Sequence, residues 1–234
     1  MLAYPILLFD FGGTLADIHP QHSWLYVRAC KEFGVNLDPD KAHGIVDHGW
    51  EPYETPLGPI HLDMSASQQA FAQYKTTVLV DRLRRMGVKG PLEKIAARVY
   101  ELDTEPDMYR LYDDVLPTLD ALRPKGYRMG IISNHEWELP NLVIGLGLGP
   151  YFDAVVSSAR VGYRKPHPEI FRFVLDDLGG APDGALMIGD SISSDVKGAI
   201  RMGMPAVLVD RDNTSTPVDG VPVVDKLSDL LEFL

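Results

Sequence analysis

Apolar and polar positions along the 234-residue chain fall into two rhythms. Short unbroken apolar runs, Ile6-Leu7-Leu8-Phe9, Met129-Gly130-Ile131-Ile132 and Leu186-Met187-Ile188-Gly189, alternate with stretches in which apolar residues return every three or four positions. The first kind reads as parallel strands buried on both faces, the second as amphipathic helices joining them. Further strands are predicted at 127–132, 154–156 and 206–209. Helices are predicted at 115–122, stopped near Pro124-Lys125-Gly126, and at 139–146, 193–202 and 226–234. Another, at 168–178, opens on Pro168 in the first helical position and turns Ile170, Phe171, Val174 and Leu175 inward.

This alternation predicts an α/β fold: a Rossmann-like doubly wound parallel sheet with crossover helices. Between its first strand and the strand ending near residue 132 lies a purely helical stretch. Residues 21–34 read as a helix with Trp24, Leu25, Val27 and Phe33 as its core face and Gly34 at its end. Residues 67–87 carry Phe71, Tyr74, Val78, Leu79, Leu83 and Met86 at helical spacing, and Leu92, Ile95, Ala96, Val99 and Leu102 repeat the pattern behind Pro91. Residues 17–108 are therefore expected to form an inserted α-helical cap, hinged near 15–19 and 104–109, on a core of residues 1–16 and 109–234. A cap closing over strand ends excludes water and selects substrate.

Several apolar runs end in a polar group. Asp10 follows Phe9 and is succeeded by Phe11-Gly12-Gly13-Thr14; Ser133-Asn134 follows Ile132; Lys165-Pro166 forms a loop; Asp190 follows Gly189. Each alone has a structural reading, as strand-end cap, helix N-cap, surface charge or turn residue. A structural role does not require all of them at successive strand ends, where open parallel sheets bind ligands.

The order Asp10-x-x-x-Thr14, Ser133, Lys165, Gly189-Asp190, with Asp195 five residues on, resembles the haloacid dehalogenase (HAD) superfamily of hydrolases, over residues 2–16 and roughly 110–210. The resemblance implies Asp10 as a nucleophile that forms an aspartyl-phosphate. Ser133 and Lys165 would serve the phosphoryl group or the nucleophile. Gly13, Thr14 and Asn134 would line the phosphate site, Thr14 also supporting the Asp10 loop and Asn134 equally suited to shaping its own. Asp10, the Gly12 carbonyl, Asp190 and Asp195 would surround Mg²⁺, a hard ion bound by few protein oxygens. Asp195 could instead hold Lys165, and Ser191 and Ser193 read mainly as caps.

One position departs from the family pattern. Where family phosphatases carry a second aspartate that protonates the leaving alcohol and activates water, this chain has Gly12. That function is worth about 10² to 10⁴ in rate, or roughly 3–5 kcal/mol of barrier. Three functions stay open. The first is a phosphohydrolase of a small phosphorylated metabolite that works slowly, takes good leaving groups or borrows an acid. Candidates for that acid are His19, His22, His43, His48 and His61, beside Trp50 and Tyr53, with His135 the best placed; His43 and His48, five apart, miss the helical step for a shared metal. The second is a metal-independent 2-haloacid dehalogenase, whose halide leaves without a proton; the cap arginine of those enzymes has no clear counterpart in this chain, Arg28 being a guess, and Gly189-Asp190 looks like the magnesium-binding form of the motif. The third is a non-catalytic protein that binds phosphorylated ligands.

Composition narrows the partners. The net charge of −11 argues against nucleic acid or an anionic membrane surface. The single cysteine, Cys30, excludes an intrachain disulfide and fits helix packing in a reducing, cytoplasmic setting. The N-terminal apolar run is interrupted by Asp10 and lacks a preceding basic region, so neither a signal peptide nor a membrane span is expected. Nothing in the pattern fixes oligomeric state.

Overall fold

The computed structural model describes residues 4–46 and 63–234. Their elements run β1 (Ile6–Phe9), β2 (Ala16–Ile18), α1 (Ser23–Glu32), α2 (Pro39–Val46), α3 (Gln68–Arg85), α4 (Leu92–Leu102), β3 (Tyr109–Leu111), α5 (Val115–Leu122), β4 (Arg128–Ser133) and α6 (Leu139–Gly145). They continue with β5 (Ala154–Ser157), α7 (Ser158–Val161), α8 (Pro168–Asp177), β6 (Ala185–Gly189), α9 (Lys197–Arg201), β7 (Ala206–Val209) and β8 (Val223–Val224).

Six strands form one parallel sheet in the order β5-β4-β1-β6-β7-β8. The apolar runs occupy its middle, as strands covered on both faces must. Along β1 the side chains alternate: Leu7 and Phe9 enter one core, Ile6 and Leu8 the other, where α8 packs with Ile170, Phe171 and Val174. Each such fully buried side chain contributes about 1.5–3 kcal/mol. Phe9 pairs with Ile131 on β4 and with Ile188 on β6. The register therefore brings Asp10, Ser133 and Asp190 to the same end of the three central strands.

Helices α1 to α4 pack on one another between β2 and β3. On α3 the expected residues Phe71, Val78, Leu79 and Leu83 are buried, and Ser67 caps the helix by accepting from the Ala70 amide at 3.1 Å. On α1 the expected face needs correction. Leu25, Tyr26, Ala29 and Cys30 are buried, whereas Trp24 and Phe33 are more than one-third exposed and Val27 is only partly covered. The helical stripe is set by Tyr26, whose hydroxyl accepts from the buried Arg82 at 3.1 Å, and not by the largest apolar residues.

The two chain crossings near residues 16 and 110 pair with each other as a ribbon: β2 and β3 run antiparallel with Asp17 opposite Arg110. Two of the predicted helices are also altered. Residues 226–234 form only a 3₁₀ helix, Leu227–Glu232, and the segment after Asp190 opens with a wide π turn, Ile192–Val196, before α9. That turn carries Asp195, fully buried, back under the sheet edge. Among the described residues, no helix is long and apolar enough to cross a membrane.

Gly130 on β4 lets α8 lie close. A methyl group there would come within 2.9 Å of Leu178 and 3.1 Å of Val174. Gly130→Ala should lower the unfolding free energy by roughly 1–3 kcal/mol, read as a lower urea midpoint; an unchanged midpoint would contradict this packing.

Candidate active site

Asp10 sits where β1 breaks into a tight turn. Its amide still donates to the Ile188 carbonyl at 2.9 Å, so the backbone stays tied to the sheet while the side chain leaves it. One carboxylate oxygen, Oδ1, accepts from the Phe11 amide at 2.7 Å and from Lys165 Nζ at 2.8 Å. Lys165 comes from the loop before α8 and is almost fully buried. Its ammonium also donates to Asp195 Oδ1 at 2.6 Å and to the Ile132 carbonyl at 2.8 Å. All three of its protons thus have acceptors.

Asp190 completes the cluster. Its Oδ1 accepts from the Thr14 hydroxyl at 3.2 Å, and oxygens of Asp10, Asp190 and Asp195 lie within 4.8 Å of one another. Three carboxylates face one ammonium, and the electrostatics show the imbalance. Burial, reinforced by the Asp10 charge, pushes Asp190 up to about 6; burial pushes Asp195 up to about 7 against the lowering effect of Lys165. Burial alone would lower Lys165, but the Asp10 and Asp195 carboxylates outweigh it and hold the ammonium above its ordinary range. A hard cation fits this donor set, because it would relieve the repulsion that raises the two aspartates. Asp195 is the weakest candidate ligand: its Oδ1 faces Lys165 and its Oδ2 accepts from the Ser191 amide at 3.0 Å.

The remaining residues expected at the site divide. Ser133 ends β4, buried, opposite Ser157 in the register. Thr14 is fully buried, and its carbonyl accepts from Arg211, which also pairs with Asp114 at 3.1 Å. Gly13 and Asn134, expected at the phosphate site, each have a structural task. The Gly13 amide donates to the Ala16 carbonyl at 3.0 Å; its importance is conformational, since it adopts φ +71° and a Cβ would strike the Asp190 carboxylate. The Asn134 side chain spans Lys165, donating to its carbonyl at 2.9 Å and accepting from its amide at 2.7 Å. It holds the lysine loop. Ser191 caps the π turn, as expected, accepting from the Ser194 amide.

His135 is not an available acid. Its Nδ1 accepts from the Glu136 amide at 2.8 Å, which leaves Nε2 to donate to the Tyr109 hydroxyl at 3.0 Å. Burial keeps its pKa below the ordinary histidine value, so the ring is neutral and fully engaged. Arg28 pairs with Glu32 and lies over Trp24. His48, Trp50, Tyr53 and His61 lie outside the described residues.

Beside the carboxylate cluster is a cavity of about 260 Å³, bounded on the core side by Gly12, Asn134, Glu136 and Arg164 and on the helical side by His22, Lys75 and Arg82. Arg28 is not among its lining residues. His22 is the histidine of the expected set, besides His135, that lines it, with Nε2 3.6 Å from Asp103. Burial raises the Glu136 carboxyl, opposed by Lys75. Sequence patterning could not have found Lys75, Arg82 and Glu136. Each sits within an ordinary polar stretch, and only folding gathers them.

A buried carboxylate at the tip of the central strand of a parallel sheet, a lysine from the loop before α8 and two further carboxylates from the segment after β6 thus meet at one end of the sheet. The model of the haloacid dehalogenase-like hydrolase family matches residues 4–203, and the chain belongs to that family. It is 33% identical over 240 residues to haloacid dehalogenase-like hydrolase domain-containing protein 3 of Homo sapiens, a match covering 98% of this chain and 92% of that one. It is 36% identical over 138 residues to glyceraldehyde 3-phosphate phosphatase of Methanothermobacter thermautotrophicus, spanning 54% of this chain and 60% of that protein's length. The structure of a HAD phosphatase from Thermococcus onnurineus is similar, with a TM-score of 0.64, 25% identity and coverage of 97% and 96% of the two chains.

Asp190 and Asp195 are raised above the unfolded value of 3.8. Their contribution to stability is therefore complete below about pH 4 and is lost as pH rises through the folded values. In chelator, Asp190→Asn should gain stability relative to wild type between about pH 4 and about pH 8, measured by thermal unfolding; a pH-independent difference would contradict it.

Proposed function

We propose that this hydrolase is a Mg²⁺-dependent phosphohydrolase of a small phosphorylated metabolite, with residues 17–108 serving as a cap over a core of residues 1–16 and 109–234. The observation that carries the reading is the Asp10 carboxylate at the tip of the central strand, oriented through one oxygen by Lys165 and the Phe11 amide. A nucleophile held by one oxygen is aimed with the other. The phosphatase names of related proteins support the same chemistry. Magnesium, held by Asp10, Asp190 and the Gly12 carbonyl, would neutralise the charge between the nucleophile and an anionic substrate.

Asp10 attacks phosphorus, the bond to the leaving oxygen breaks and an aspartyl-phosphate forms; water then attacks phosphorus and restores the carboxylate. Lys165 offsets the charge of Asp10 and of the transferring group, and Asp195 and Asn134 keep the lysine in place. Ser133 presents its hydroxyl to a phosphoryl oxygen. Gly12 supplies no acid, so esters with poor leaving groups react slowly unless His22 delivers the proton. The cation-suited carboxylate trio weighs against the metal-independent dehalogenase. A reducing, cytoplasmic setting suits the buried Cys30.

The test is phosphate release from a panel of phosphorylated metabolites and an activated aryl phosphate, with Mg²⁺ and with chelator. Turnover should need the metal and vanish in Asp10→Asn. A Cβ at Gly12 meets nothing within 4 Å, so Gly12→Asp should fold and raise alkyl-ester turnover by about tenfold or more. His22→Ala should slow alkyl esters and spare the aryl phosphate. No release from the panel would sink the reading, and ligand-dependent stabilisation without product would mark a binding protein.

A further inference from the structure

Between β1 and β2 the chain folds back on itself. The Leu15 and Ala16 amides donate to the Phe11 carbonyl at 2.9 and 3.0 Å, and the Gly13 amide donates to the Ala16 carbonyl at 3.0 Å. Such bonds shape the turn without setting where its tip lies against the neighbouring strand ends. The Tyr112 amide ties the exit of the turn by donating to the Leu15 carbonyl at 3.2 Å. At the tip, the ties are on Thr14: its hydroxyl donates to Asp190 Oδ1 at 3.2 Å, and its carbonyl accepts from Arg211 Nη2 at 2.7 Å. Arg211, two residues beyond β7, is itself fixed on two further sides. Its Nη1 donates to Asp114 Oδ2 at 3.1 Å, an oxygen that also accepts from the Leu227 amide, and its guanidinium lies over the Tyr112 ring, 3.8 Å from the centroid. A planar guanidinium held at one edge and stacked on a ring is a rigid donor for whatever its other edge meets.

We propose that Arg211 is a positioning residue for the metal site: by holding the Thr14 carbonyl it fixes the Thr14 hydroxyl on Asp190, and so keeps that carboxylate where it would meet Mg²⁺. The inference rests on the proposed function, in which Asp190 is a magnesium ligand. Its first step is backbone to side chain. Threonine is branched at Cβ and has few χ1 positions, so a fixed peptide plane after Thr14 also aims its hydroxyl. The second step is hydroxyl to carboxylate, the 3.2 Å bond to Asp190 Oδ1. The bonds of Arg211 go to Thr14 and Asp114, outside the trio of Asp10, Asp190 and Asp195, so its influence on the metal passes through Thr14. Residues that orient the ligands of a metal in this way typically change its affinity by about 10- to 100-fold.

Calorimetric binding of Mg²⁺ to the full chain, without substrate, tests this. Arg211→Met keeps an apolar side chain over Tyr112 and removes the donors; it should weaken Mg²⁺ binding by about tenfold or more. Thr14→Val, which removes the hydroxyl and keeps the shape, should weaken it similarly. The double variant should bind no more weakly than Thr14→Val, because both changes act on one bond. Arg211→Lys, whose ammonium can meet the Thr14 carbonyl but cannot span it and Asp114 together, should recover part of the affinity. A merely structural arginine would lower the urea midpoint in chelator and leave the Mg²⁺ constant of the folded protein unchanged. If Arg211→Met does not fold, Arg211→Lys reads the same coupling: its affinity should fall below wild type, and Thr14→Val should cancel the difference. Unchanged affinity in the folded Arg211 variants, or losses that add in the double variant, would overturn the proposal while leaving the metal-dependent reading in place. A wild type that binds no Mg²⁺ would overturn both.

Discussion

A single ammonium, that of Lys165, lies almost without solvent between Asp10 and Asp195, and the arrangement of the site follows from its needs. Burying a charge is costly unless its hydrogen-bonding capacity is met in place. Here two carboxylates and the Ile132 carbonyl meet it, and each comes from a different part of the sheet edge. Asp10 directly follows β1, the Ile132 carbonyl lies on β4, and Asp195 sits in the π turn that follows β6. The lysine therefore closes the strand ends around Asp10. Removing it would leave two buried carboxylates facing each other, a change of the kind that costs about 3–5 kcal/mol.

That closure leaves the cluster of three carboxylates with a single ammonium to offset them. Asp190, supported by Thr14, is the third carboxylate, and the raised positions of Asp190 and Asp195 are the electrostatic consequence. The same excess of negative charge that burdens the folded protein suits it to a cation and, through the cation, to an anionic substrate. Gly13 is needed because Asp190 approaches its backbone so closely. Gly12 carries no such constraint: a side chain there would meet open space. The departure at Gly12 is thus a chemical change in an intact scaffold, and the cavity beside it has its own polar lining in His22, Lys75, Arg82, Glu136 and Arg164.

Much of the core was legible in the sequence. Fully buried parallel strands must be apolar throughout, so β1, β4, β6 and β7 stand out, and the polar residue ending each of the first three marks the site. The α3 and α4 stripes were legible for a similar reason, their long amphipathic repeats. What escaped was short or depended on partners far along the chain. The three-residue strands β2 and β3 carry too little periodicity to detect, and the buried face of α1 was decided by Tyr26 meeting Arg82. The tasks of Gly13, Asn134 and His135 depended on which backbone groups lay opposite them, Ala16, Lys165 and Tyr109 with Glu136. Single-chain spacing has no access to those pairings.

The account depends on Asp10 being the atom donor to phosphorus. The most direct measurement is acid quenching of the enzyme during turnover of a phosphate-labelled ester, followed by mapping of the label on the chain. Label on the peptide that contains Asp10, formed in wild type and missing in Asp10→Asn, is the predicted result. Turnover in which no labelled protein accumulates, and which continues in Asp10→Asn, would contradict it.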